Sequence, residues 1–114
     1  TKEMELMNRL REKNPELSMK IMMRGKALID LAKQNDCCGI DRILKVTPKV
    51  ELFQWFTVKM FEAACTSYSI DVVLYMIRNG VDLQFNGLKN IMHLVVESLP
   101  KPGAQRVEEL AEGQ

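Results

Sequence analysis

Few residues in this chain have the type and spacing for chemistry. His93 is the sole histidine, so a hydrolytic triad or an imidazole proton relay would have to be built around it. Cys37, Cys38 and Cys65 lack the paired C-x-x-C spacing of a structural zinc set. No basic cluster flanks Cys37-Cys38 to favour a thiolate. Gly25-Lys26 invites comparison with a phosphate-binding loop. That motif needs a glycine where Lys20 stands and a serine or threonine where Ala27 stands, and no G-x-G-x-x-G run exists elsewhere. Carboxylates are scattered along the chain rather than paired for acid–base work. These residues point away from an enzyme, and they assign neither metal nor cofactor.

The remaining residues must therefore be read for architecture. The chain has 114 residues, 46% of them apolar and 27% charged, which fits one folded domain or a segment of a longer one. Sixteen basic and fifteen acidic residues leave a net charge of +1, too even to attract nucleic acid or an anionic membrane from a distance. No apolar run approaches the roughly 20 residues that cross a bilayer. An odd cysteine count with two adjacent thiols suits a reducing compartment, cytoplasmic or nuclear.

Apolar spacing predicts helices nearly throughout. Met4, Met7 and Leu10 share one helical face, and Asn14-Pro15-Glu16 carries the cap, proline and acid of a helix start. Leu17 and Ile21 follow, with an end expected near Arg24-Gly25, and Ala27 to Lys33 is the next helix. Gly39 precedes a stripe of Ile40, Ile43 and Leu44. Thr47-Pro48 repeats the cap-plus-proline signal, and an extra helical turn is expected around Phe53 and Trp55. Met60 to Ala64 is a short apolar helix. Ser69 is placed to cap a helix from Ile70 to Ile77, which Asn79-Gly80 closes. Val81 to Leu88 is a loop, Ile91 to Leu99 is helical, residues 100–103 break the chain, and Gln105 to Glu112 is the last helix. Short helices of this kind are marginal alone and must pack in pairs.

Three segments align at an offset of 32: Leu28-Ile29-Asp30-Leu31-Ala32, Met60-Phe61-Glu62-Ala63-Ala64 and Met92-His93-Leu94-Val95-Val96. Each closes on small or medium residues, which let a second helix pass close behind. The run Ile70-Asp71-Val72-Val73-Leu74-Tyr75-Met76-Ile77-Arg78-Asn79-Gly80-Val81-Asp82-Leu83-Gln84 resembles the second helix and closing G-A-D-V-N segment of the ankyrin repeat. Asn90 to Val96 is similar to that family's T-P-L-H-L-A-A opening, as is Gly25 to Ala32 more faintly. The likeness covers about residues 25–98. It lacks Thr-Pro at 26–27, 58–59 and 90–91, and it has Val95 and Val96 where the family prefers alanine.

The resemblance implies an all-α, ankyrin-like solenoid of stacked helix-turn-helix repeats over 25–99. Residues 1–24 would be a helical cap or extension, and 100–114 an incomplete repeat or tail. His93 would then bond backbone in neighbouring loops. The implied function is a non-catalytic scaffold or adaptor that binds a protein partner, or a neighbouring domain of a longer chain, but not nucleic acid or membrane. The contact positions would be Lys33, Gln34, Cys65, Thr66, Glu97 and Ser98 after each first helix, with Phe85, Asn86 and Leu88 in the loop. Phe53, Trp55 and Phe56 cannot all face inward from one helix, so Trp55 is expected to be partly exposed as an anchor. The alternative is a structural segment of a larger protein or assembly with no ligand of its own. Five methionines between residues 4 and 23 fit a core or an adaptable helix-docking surface.

Overall fold

The computed structural model describes residues 2–84, 87–98 and 101–112; the side chains of residues 98 and 101–103 lie outside the described set. The fold is all-α. Its elements are α1 (Lys2–Lys13), α2 (Pro15–Lys33), α3 (Cys37–Lys45), a 3-10 turn (Lys49–Glu51), α4 (Gln54–Thr66), α5 (Ile70–Arg78), α6 (Leu88–Ser98) and α7 (Lys101–Glu112).

The sequence signals act as expected at several boundaries. The Asn14 side chain accepts the Leu17 amide at 3.2 Å, and Pro15 occupies the first turn of α2, where its missing N–H costs nothing. Gly80 ends α5 at φ +86°, a left-handed closure. Ala32, Ala63, Ala64, Val73, Met76, Ile77, Val95 and Val96 are buried, with Leu31, Ile43 and Leu44 packed against them.

Other boundaries move. The helix does not end at Arg24-Gly25: α2 runs through to Lys33, because Ile21, Gly25, Leu28 and Ala32 continue one buried face. A Cβ at Gly25 would run into the Phe56 ring, so this glycine serves close approach between α2 and α4, not termination. The division drawn between residues 24 and 25 thus falls inside α2. The short apolar helix around Met60 is longer than expected and starts at Gln54. Helix α7 starts at Lys101 and takes Pro102 into its first turn, which tolerates proline.

The helices pack in two rows. In one, α2 packs on α4 and α4 on α6; in the other, α3 packs on α5 and α5 on α7. The molecule is elongated, 50 × 27 × 21 Å. Helix α1 leans on α2 outside the rows. Within the rows the α2–α3 and α4–α5 turns share one backbone plan. Asp36 N donates to Leu31 O at 3.0 Å and Ser69 N to Ala64 O at 2.8 Å, while Asn35 and Tyr68 both take positive φ, +57° and +55°. The structural offset between these two units is therefore 33, one more than the alignment of small residues suggested. The units are also tied together. Ser69 is not a local side-chain cap; its hydroxyl donates to Lys33 O at 3.2 Å. Asn35 instead caps the start of α5, accepting Val72 N at 3.1 Å and donating to Asp71 at 3.0 Å.

Candidate functional site

The structure spreads the positions singled out from sequence over several places. Cys65 and Thr66, at the carboxyl end of α4, line a groove of about 240 Å³ with Tyr68, Ile91, Leu94 and Val95. Lys33 and Gln34 are exposed at the end of α2 in the preceding unit, joined to this turn through the Ser69–Lys33 hydrogen bond. Glu97 is exposed on α6, one helical turn beyond Leu94. Trp55 lies at the other end of α4, roughly 16 Å along the helix from Thr66. It is half exposed as expected, edge-on to Phe56 at 5.3 Å between ring centres, with Lys59 Nζ 5.9 Å from its ring.

Two expected contact residues are corrected. Leu88 is buried, because it opens α6 and its side chain joins the main core rather than a loop tip. Cys65 is buried too; its thiol lies beneath the groove, and burial, with Glu62 nearby, pushes it up to about 12. Phe85 and Asn86 lie outside the described residues, as does the side chain of Ser98. His93 is exposed on α6.

Tyr68 and Leu94 were not legible as a pair. They are 56% and 67% exposed and both line the groove. Tyr68 was hidden in a polar turn, and Leu94 in an apolar run whose neighbours Val95 and Val96 are core. The groove's polar edge is Thr66, whose hydroxyl donates back to Glu62 O at 3.0 Å and Ala63 O at 3.2 Å. Its walls offer apolar contact and few hydrogen-bonding groups, which suits an apolar side chain rather than a polar metabolite.

The Cys37 thiol is raised by burial first and by Asp71 next, so neither Cys37 nor Cys65 is held as a thiolate. Tyr75 donates to Asp41 at 3.0 Å; burial and then this bond push its phenol up to about 12. Asp41 is lowered by Lys45 first, at 2.9 Å, and by Tyr75 second. Among the described residues no three His, Cys, Asp or Glu converge as metal ligands, and no helix is long and apolar enough to cross a membrane.

Comparison with protein-family models, with curated proteins and with solved structures finds no match to this chain.

Proposed function

We propose that this chain is a non-catalytic protein-interaction module, an ankyrin-like stack of helix pairs. It binds a protein partner along the edge formed by the α2–α3 turn, the α4–α5 turn and α6. Tyr68 is the observation that carries the reading. A bulky side chain at positive φ costs on the order of 1 kcal/mol, and the equivalent turn position of the preceding unit holds Asn35, a residue that tolerates this conformation far better. A tyrosine kept there, more than half exposed and lining an apolar groove with Leu94, is a contact residue held at a cost to stability. Thr66, Tyr68, Leu94 and Glu97 form the centre of the contact, and Lys33 and Gln34 extend it. The two rows of helices and the repeated turn support the stack; the 3-10 turn at Lys49–Glu51 marks its divergence from the ankyrin pattern.

The test compares the chain with a Tyr68→Asn, Leu94→Gln double variant as bait in cell extract. Asn keeps the turn geometry and Gln the helix, so the fold is preserved. A partner enriched by the wild-type chain and lost from the variant supports the edge. Equal recovery of the same proteins by both contradicts it.

A second reading, a structural segment of a larger chain or assembly, draws on Val46 and Val50. Both are exposed in the connection between units and would be covered by a neighbour. A chain insoluble alone and rescued by Val46→Ser and Val50→Ser favours that reading.

A further inference from the structure

Helix α2 carries a second surface, on the side away from its packing. Leu17 and Ile21 meet the α1 side chains Met7 and Leu10, and Gly25 and Leu28 face the interior. On the opposite side Met19, Met22 and Met23 are 66%, 39% and 66% exposed. Methionine is adaptable and weakly hydrated, and three on one face of one helix are a contact surface rather than scattered exposure. Glu16 and Lys26 bound them, both exposed and neither in an ion pair among the described residues.

The order along the helix identifies what covers this face. Glu16 precedes Met19 by three positions, and Lys26 follows Met23 by three. All four project from the solvent side of α2. The pattern is self-complementary under a two-fold axis that crosses the helix at the level of Ile21. Reversing a second copy places Met19 against the partner's Met23, and Glu16 against the partner's Lys26. A parallel pair would set acid against acid and base against base. We propose that α2 pairs antiparallel with α2 of a second copy of this chain, through Met19, Met22 and Met23, with Glu16 and Lys26 closing both ends. The contact is isologous, so it closes at a dimer. It is also small, so the association is weak, with a dissociation constant on the order of 100 µM. It leaves the Tyr68–Leu94 groove on α4–α6 unoccupied, and it does not depend on that groove binding a partner.

Sedimentation equilibrium of the chain, from ~20 µM to ~1 mM at low salt, tests this. The expected weight-average mass rises from 13.1 kDa toward twice that value. Met19→Glu with Met23→Glu should hold the mass at the monomer throughout. Glu16→Lys and Lys26→Glu should each weaken association when alone. An equimolar mixture of those two single variants should restore it, since each then meets an opposite charge. All four positions are exposed, so the helical signal in the far ultraviolet is unchanged by these substitutions. A monomer at every concentration overturns the proposal. So does a methionine double variant that associates like wild type, because another surface is then responsible. A mixture no stronger than its components overturns the antiparallel register.

Discussion

The α4–α5 unit and the amino-terminal corner are both helix pairs, yet they are held in different ways. In α4–α5, successive turns bury Phe61, Ala64 and Cys65 from one helix and Val72, Val73, Met76 and Ile77 from the other. The connecting turn satisfies its own backbone and reaches back to the preceding unit through Ser69 and Asn35. Helix α1, in contrast, has no buried residue. Met7 and Leu10 rest on a small cluster of Ile21, Phe53 and Phe56, separate from the main core. Its polar hold is Glu3, whose two carboxylate oxygens accept the Gln54 and Trp55 amides at 2.6 and 3.1 Å. Those are orphan donors at the start of α4, where Phe53 offers no side-chain cap, so an acid from another helix replaces the missing local one. Nearby, Arg24 pairs with Glu51 to pin the 3-10 turn against α2. The difference teaches where stability resides. The stacked units are cemented by area and by interlocking turns, whereas α1 is fastened through the Glu3 carboxylate and half-covered side chains.

The largest effect should come from crowding the stack. Ala64 is fully buried, and Ala64→Leu should cost about 3 kcal/mol by forcing α4 from its neighbours, measured as a lowered urea midpoint. A neutral result would mean that the close packing behind α4 is misassigned. Gly25→Ala tests the seam between the two regions. The added methyl meets the Phe56 ring, and the clash should outweigh alanine's gain of about 1 kcal/mol in helix propensity, for a net loss of about 1–2 kcal/mol. A stabilised variant would show that the seam is loose. Gly80→Ala should lose about 1 kcal/mol from backbone strain alone, since no atom lies within 4 Å of the added Cβ. A continuous helix at this point would instead be stabilised by alanine.

The smallest effect is confined to alkaline pH. Tyr75 is raised in the folded state, so its contribution is complete below an ordinary phenol value near 10 and is lost as pH climbs toward about 12. Across that window wild type should lose stability faster than Tyr75→Phe, and the two denaturation curves should run parallel at neutral pH, above the acid range in which Asp41 titrates. Equal slopes throughout would contradict the half-buried Tyr75–Asp41 bond.

How much of this was legible depends on which interactions are local. The Asn14-Pro15 start and the Gly80 closure are written in neighbouring residues, and both stand where the spacing places them. Gly25 read as punctuation because glycine ends helices more often than it admits a ring; the ring comes from Phe56, 31 positions away, and no local signal announces it. The offset of 32 matched Ala32 to Ala64 because small buried residues look alike. The true register is carried by backbone turns at Asn35 and Tyr68, which share a conformation but not a residue type. For the candidate site, Thr66 and Glu97 came from the pattern. Tyr68 and Leu94 did not, since exposure on one side of a short helix depends on what packs against the other. The methionines of α2 show the same limit: apolar spacing places Met19 and Met23 on one face, but only the position of α4 decides which face is inside.

Native-state hydrogen exchange tests the division between cemented stack and fastened corner most directly. Amides of α4 and α5 should be the most protected and should open together, while those of α1 open at much lower free energy. Glu3→Gln should speed α1 exchange further and leave α5 unchanged. Protection of α1 equal to that of α5, or a joint response of both to Glu3→Gln, would contradict the account, for the chain would then be one cooperative bundle rather than a stack with a helix fastened to it.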